Sequence, residues 1–224
     1  YLSNESVIHS EISQSKEFNS SFSIDDRTRS FLKIQDGCNY GCSFCTIPLA
    51  RGKSRSAKPS DILSKINSLI DNGAKEIILS GINIGDYGIL NGKRKNNFFS
   101  LLKIIEDEID DLRLRISSIE PNLLNDKIIE LVASSKKFVN HFHIPLQSGS
   151  NNILKKMSRR YNIELYEDRI KKIKKLMPDA CIGADVIVGF PGESNHEFKK
   201  TLKFIKSLDI SYLHVFPHSD RNNT

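Results

Sequence analysis

Three of the four cysteines in the chain fall within Asp36-Gly37-Cys38-Asn39-Tyr40-Gly41-Cys42-Ser43-Phe44-Cys45, spaced Cys-x3-Cys-x2-Cys. Thiolates are the usual ligands of iron–sulfur clusters. Gly37 and Gly41 let so short a loop fold its three sulfurs around one cluster. A cubane has four irons, so Cys38, Cys42 and Cys45 would leave one iron open, and an open metal position is where a substrate can bind. A structural zinc site wants four ligands, and the fourth would have to come from Cys181, His141 or His143, all distant in sequence. Cys181 sits among apolar residues where a strand starts and reads as a small buried hydrophobe. Two non-enzyme classes compete. An electron-transfer iron–sulfur protein would carry four cysteines on a cubane, and an RNA-binding module would use its metal only structurally.

The residues around this loop must be able to hold it. With 224 residues the chain can bury a full core. No apolar run approaches the roughly 20 residues that cross a bilayer, so no membrane partner is expected. Clustered cysteines in a chain of this size indicate metal in a reducing compartment rather than a disulfide framework, which predicts a cytoplasmic protein. The net charge of +6 reads as a solvated Lys-rich surface or as the footprint of a polyanion such as RNA. The chain starts at Tyr1 without a signal-type segment and stops in loop-like sequence, Ser219 to Thr224, so it reads as part of a longer protein.

Residues 1–29 are polar and aperiodic and read as a linker from a missing N-terminal domain, holding at most a short strand. From residue 30 to 224, strands alternate with helices in one domain. Strands are expected at Phe31–Ile34, Glu76–Ser80, Leu112–Ile116, Phe138–Ile144, Ile182–Val188 and Ile210–Phe216. The intervening segments carry helical spacing: Ile62, Ile66 and Leu69; Leu101, Leu102 and Ile105; Leu124, Ile128 and Val132; Tyr166, Ile170 and Ile173; and Phe198, Leu202 and Ile205. Ser194 to Glu197 has the form of a capping box. Six strands in this alternation imply a parallel sheet. No GxGxxG follows the first strand, so a partial TIM-like (β/α)6 barrel fits better than a dinucleotide-binding sheet. In such barrels the chemistry sits at the C-terminal ends of the strands. The cysteine loop, Gly81–Asn83, Ser117–Glu120, Pro145–Ser148 and Gly189–Pro191 all fall there.

The cysteine spacing, on the loop after the first strand of a six-strand β/α chain, resembles the radical S-adenosylmethionine superfamily over about residues 30–216. Further stretches narrow the likeness. They are Ala50-Arg51-Gly52-Lys53-Ser54-Arg55-Ser56, Leu79 to Gly88, Ile116-Ser117-Ser118-Ile119-Glu120-Pro121, His143 to Ser150, and Asp185 to Glu193. Together they are similar to the methylthiotransferases. Asn83 to Gly88 and Ser117 to Pro121 are most like the branch that acts on N6-threonylcarbamoyladenosine in tRNA. Sister branches act on isopentenyladenosine in tRNA or on an aspartate of a ribosomal protein.

The resemblance implies a 4Fe–4S cluster on the three cysteines, with S-adenosylmethionine chelated at the open iron. One electron from a flavodoxin- or ferredoxin-like donor would split the sulfonium into methionine and a 5′-deoxyadenosyl radical, which cleavage assays would detect and neither non-enzyme class would produce. It also implies roles for cofactor-binding residues. Phe44 would pack near the adenine, and Gly81 and Asn83 would hold the methionine amino group. Ser118 and Glu120 would face the ribose or the carboxylate, with Gln147 and Ser148 nearby, and Asp185 and Gly189 would line the adenine side. For Gly81, Gly149 and Gly189 the competing reading is a turn that needs positive φ; for Glu120 it is a carboxylate at a helix N-terminus. His141 and His143 share one strand face, either structural or lining the pocket. No protein side chain beyond the cluster ligands is assigned a catalytic step.

Basic residues gather after the strand ends: Arg51, Lys53, Arg55 and Lys58; Lys93, Arg94 and Lys95; Lys155, Lys156, Arg159 and Arg160. They read either as solvated loops or as a rim that contacts tRNA phosphates. The resemblance further implies an N-terminal domain holding a second, auxiliary cluster that handles the sulfur, and a C-terminal RNA-binding domain. Neither is present in this sequence. The intact protein would then activate C2 of the modified adenine and install sulfur and a methyl group, the methyl coming from a second S-adenosylmethionine.

Overall fold

The computed structural model describes residues 18–23, 29–110 and 112–224. Most of the linker expected over residues 1–29 lies outside these. Of the linker, Ser21–Ser23 runs antiparallel to the first strand, with Phe22 bridged to Leu32.

The chain begins with β1 (Arg29–Lys33) and a two-residue β2 (Gln35–Asp36). The cysteine loop follows, then a one-turn helix α1 (Ile47–Arg51) and β3 (Arg55–Ser56), which pairs antiparallel with β2 and closes the loop at its base. Helix α2 (Pro59–Asp71) starts with Pro59, whose fixed φ suits a first helical position, and ends at Gly73 with φ +87°. Next come β4 (Glu76–Ser80), the small hairpin β5 (Ile89–Leu90) and β6 (Lys93–Arg94), α3 (Phe98–Glu108), β7 (Arg113–Ile116), α4 (Asp126–Ser134) and β8 (His141–His143). The last part holds α5 (Asn151–Lys156), α6 (Ile163–Leu176), β9 (Cys181–Val188), α7 (Asn195–Ser207) and β10 (Tyr212–Pro217). Five of these helices begin with a side-chain cap. Asn97, Asn125, Ser150, Asn162 and Ser194 each accept a hydrogen bond from the backbone N–H three residues on, satisfying a donor that the helix itself leaves open.

Strands β1, β4 and β7 pair in parallel, as do β8, β9 and β10. Parallel bridges from Leu114 to Phe138 and from Ser118 to His143 join the two halves. The sheet therefore runs β1-β4-β7-β8-β9-β10, the open (β/α)6 form of a barrel. Among the described residues, β10 pairs with no strand on its far side. Alternation sorts the side chains. Ile77, Leu79, Leu114, Ile116, Ile182, Ala184 and Val186 are buried in one apolar core with the helices, while Glu76, Arg115, His141, His143, Asp185, Tyr212 and His214 meet in a polar lumen.

The structure departs from the sequence reading at three elements. The strand expected over 138–144 is regular only at His141–His143, with Phe138 making a single bridge. Helix α5 was not expected from periodicity, because six residues span too few turns to show it. Helix α7 packs through Phe204 and Ile205 together with two polar residues. Glu197 and Thr201 are buried against Ser148, Gly149 and Ser150, and Phe198 and Leu202 are each 43% exposed. Only half of the capping box forms, because the Glu197 carboxylate accepts from Ser150 and not from the Ser194 N–H.

Candidate active site at the open end of the barrel

The cysteine loop is fixed by backbone geometry before any side chain acts. Gly37 has φ +71°, and a Cβ there would lie 2.2 Å from the Lys53 carbonyl oxygen. Only glycine lets the strand leave β2 and pass this close to the returning chain. The Cys38 N–H then donates to the Gly52 carbonyl at 3.1 Å. Gln35, fully buried, donates from its side chain to the Gly37 carbonyl at 2.7 Å and to Ser54 Oγ at 3.0 Å, and accepts from the Asn83 N–H at 2.8 Å. One buried amide thus joins the cysteine loop to the end of β4.

Cys38, Cys42 and Cys45 are all free thiols, half-buried, and near enough to influence each other's charge. Burial pushes the thiols of Cys38 and Cys42 up; N–H donors from Tyr40 and Asn83 to Cys38, and the Arg159 cation beside Cys42, act against it. The Tyr40 N–H lies 3.4 Å from Cys38 Sγ and the Asn83 Nδ2 at 3.8 Å. The Asn83 carbonyl oxygen is buried with no partner. Three soft ligands on one short loop, N–H groups directed at the Cys38 sulfur and one orphaned acceptor suit an iron–sulfur cluster that also takes a ligand with amino protons. Cys181 starts β9 beside His141, at the other end of the barrel, and stands outside this set.

The remaining expected residues divide. Phe44 packs, like Ile187, against the small apolar cluster of Ile153, Met157 and Phe190. With Cys45, Thr46, Ile47, Gln147, Asp185, Phe216 and Arg221 it lines a cavity of about 370 Å³. Gln147 has φ +62°, a left-handed backbone that holds it at the cavity wall. Asp185 lies at the cavity floor, bonded by His143 Nε2 at 2.9 Å and His214 Nδ1 at 3.1 Å. Burial alone would raise its carboxyl, but these histidines hold it below the usual range. Ser118 is half-buried and bridges to His143; beside it, the Ser117 hydroxyl is buried without a partner. Ser148, by contrast, is fully buried and bonded to Thr201, so it braces α7 and does not face the cavity. Gly189 is exposed, with φ +74° and its N–H on Glu193. Positive φ therefore accounts for Gly189 only. Gly81 and Gly149 are needed for close approach, to the Gln35 side chain and to the Thr201 backbone.

Beneath Asp185 the two histidines of β8 share one partner. His141 Nε2 and His143 Nδ1 lie 3.0 and 3.2 Å from the Tyr212 hydroxyl. They line the lumen below the cavity and support its floor. Sequence reasoning passed over Tyr212, His214 and Phe216, although their period-two spacing on β10 marks one face of a strand.

The basic residues also divide. Arg51, Lys53, Lys58, Lys93, Arg94, Lys95, Lys155, Lys156 and Arg160 are exposed. Arg94 pairs with Asp86, and Arg160 stacks over Tyr40, 4.0 Å from the ring centre. Two residues expected on an RNA rim are held within the fold instead. The Arg55 side chain is 11% exposed, pairs with Asp36 and donates to the Arg51 and Lys53 carbonyls, so it clamps the cysteine loop. The Arg159 side chain is 3% exposed and is bonded to Glu120 and Cys42. Both guanidinium groups are engaged by acceptors within the fold: Asp36 and two loop carbonyls for Arg55, Glu120 and Cys42 for Arg159. Among the described residues no helix is long and apolar enough to cross a membrane.

Comparison with known proteins agrees with this arrangement. The family model described as Radical SAM superfamily matches residues 32–205. The chain is 48% identical over 200 residues to threonylcarbamoyladenosine tRNA methylthiotransferase MtaB of Bacillus subtilis, covering 89% of this chain and 44% of that protein. It is 39% identical over 199 residues to tRNA-2-methylthio-N(6)-dimethylallyladenosine synthase of Desulforamulus reducens, covering 89% and 43%. The chain thus spans less than half the length of these relatives. Among solved structures it is similar in fold to the radical S-adenosylmethionine methyltransferase TsrM from Kitasatospora setae, with cobalamin and a 4Fe–4S cluster bound. That match has a TM-score of 0.68 at 16% identity and covers 84% of this chain and 36% of that one. With an open (β/α)6 barrel of parallel strands, three free thiols on the loop after its first strand and a family match over most of its length, the chain belongs to the radical SAM superfamily.

Proposed function

We propose that this chain is the radical-generating core of a tRNA methylthiotransferase acting on N6-threonylcarbamoyladenosine. The observation that carries the reading is three free thiols on one short loop, Cys38 and Cys42 each near enough to Cys45 to feel its charge, with the unpartnered side-chain oxygen of Asn83 next to Cys38. The three thiols would hold the cluster. Asn83 would accept from the amino group of S-adenosylmethionine, and Phe44, Gln147 and Asp185 would bound its adenosyl part in the cavity. When bound, the cluster and S-adenosylmethionine supply a 5′-deoxyadenosyl radical. The residues of this chain would orient that chemistry: Phe44 and Ile187 would give the cavity an apolar wall beside Cys45, and Asp185 a polar one.

The substrate assignment is supported by 48% identity to a threonylcarbamoyladenosine enzyme. A second reading, action on a dimethylallyl-type adenosine, is supported by relatives at 39%. The exposed cations Arg51, Lys53, Lys93, Arg94, Lys95 and Arg160 fit a tRNA-contacting rim. An electron donor of flavodoxin or ferredoxin type, a cytoplasmic location, and flanking domains for an auxiliary cluster and for RNA binding, with residues 1–29 as linker and 30–224 as core, belong to the same proposal. The test has two arms. Anaerobically reconstituted chain should release 5′-deoxyadenosine from S-adenosylmethionine, and Cys42→Ala should not. The full-length protein should then methylthiolate tRNA bearing threonylcarbamoyladenosine in preference to tRNA bearing isopentenyladenosine, read by mass spectrometry of the nucleosides. Preference for the second tRNA would move the protein to the sister branch.

A further inference from the structure

Arg159 occupies a place that a surface cation does not. It follows Ser158, whose φ of +57° puts a non-glycine residue in the left-handed region. Such a conformation is strained for a residue with a Cβ and persists only where the surroundings hold it. Here the surroundings are the cysteine loop. The Ser43 N–H donates to the Met157 carbonyl at 3.2 Å, and Ser43 Oγ donates to the Lys156 carbonyl at 2.9 Å. The turn after α5 is thus docked on the segment between Cys42 and Cys45, and the left-handed residue sends the next side chain inward.

Every arm of the Arg159 guanidinium is engaged. Nη1 donates to Cys42 Sγ at 3.2 Å, Nη2 pairs with Glu120, and Nε donates to the Tyr161 hydroxyl at 3.3 Å. The guanidinium also lies 5.0 Å from the centre of the Tyr161 ring. Tyr161 is in turn held by the carbonyls of Pro145 and Leu146 at 2.9 and 2.8 Å. Lysine could supply the charge but not this fork.

We infer that Arg159 is a positioning residue that sets the reduction potential of the cluster through its hydrogen bond to Cys42, with Glu120 as its counterweight. Hydrogen bonds to cluster sulfurs and net charge nearby are two of the levers that set such potentials. Reduction adds one negative charge to the cluster. A buried cation on a ligand sulfur favours the reduced form and raises the potential, while a carboxylate beside that cation partly cancels it.

The inference rests on ligation by the three cysteines. The test is a redox titration of the anaerobically reconstituted chain, without S-adenosylmethionine, monitored by electron paramagnetic resonance. In Arg159→Met the ratio of reduced to oxidised cluster at a fixed potential should fall about tenfold, equal to ~59 mV for a one-electron couple. Glu120→Gln should move the potential the opposite way, and Arg159→Lys should fall between Met and the unsubstituted chain. Shifts of opposite sign cannot come from general loosening of the site. If Arg159→Met fails to assemble a cluster, Arg159→Lys and Glu120→Gln decide by the same criterion. Unchanged potentials at unchanged iron and sulfide content overturn the role of Arg159. A failure of the underlying reading looks different: the unsubstituted chain itself would hold no cluster.

Discussion

The Asn83 side chain donates toward the Cys38 sulfur at 3.8 Å while its carbonyl oxygen, also buried, has no partner. A buried acceptor without a donor costs about 1–3 kcal/mol, so a ligand that supplies the donor recovers that energy on binding. Asn83→Leu should weaken S-adenosylmethionine binding to the reconstituted chain about tenfold, or ~1.4 kcal/mol, with iron content unchanged. Calorimetric titration checks this, and equal affinity would remove Asn83 from the site.

Gly37→Ala should destabilise the fold by at least ~2 kcal/mol and abolish cluster assembly. The added Cβ would meet the Lys53 carbonyl oxygen at 2.2 Å with φ at +71°. Denaturant unfolding and iron analysis measure both effects. Gly41→Ala, where a Cβ meets nothing within 4 Å, is the control that should keep both.

In the lumen, a Cβ on Gly183 would lie 2.1 Å from Tyr212 Cζ. Gly183→Ala should cost ~1–3 kcal/mol through overpacking. Tyr212→Ala should relieve part of that cost, giving a coupling of ~0.5–3 kcal/mol in a double-mutant cycle. Additive effects would mean that the ring moves aside freely.

Burial lowers the pKa of His141 from 6.5 to about 4. The groups facing it are Arg115 from β7, Glu76 from β4, His143 from its own strand and Tyr212 from β10, with Cys181 alongside on β9. Its imidazole is neutral in the folded protein, while the unfolded chain binds a proton below about 6.5. Stability should therefore fall as pH drops from about 6.5 and level off below about 4. Urea unfolding across this range should show the slope, and His141→Gln should flatten it by up to one proton. An unchanged slope in the variant would assign the effect elsewhere.

Lys93 and Lys95 are exposed on and beside the β5–β6 hairpin. If this hairpin touches tRNA backbone, replacing both with Gln in the full-length protein should weaken tRNA binding. The slope of log K against log salt should also drop by about two. Filter binding across a salt series measures it, and a parallel line would place the RNA on another face.

Local pattern carried much of this protein. The Cys38-x3-Cys42-x2-Cys45 spacing marks a candidate ligand set without any tertiary information, because a loop that short keeps its sulfurs in one neighbourhood. The alternation of Ile77 and Leu79, of Leu114 and Ile116, and of Ile182, Ala184 and Val186 defines strands with one face on helices, which leads to a parallel half-barrel. The Ser194 cap is read from sequence for the same reason: its partner lies three residues away.

What only the tertiary structure decided lies between residues far apart in the chain. Arg159 and Cys42 are 117 positions apart, and Ser148 and Thr201 are 53 apart. In sequence Arg159 stands in a run of cations and reads as surface, and Ser148 follows a strand end and reads as cavity. Whether a long, charged side chain turns out to water or inward to a sulfur and a carboxylate depends on which elements close around it. Packing sets that, and no local spacing encodes it.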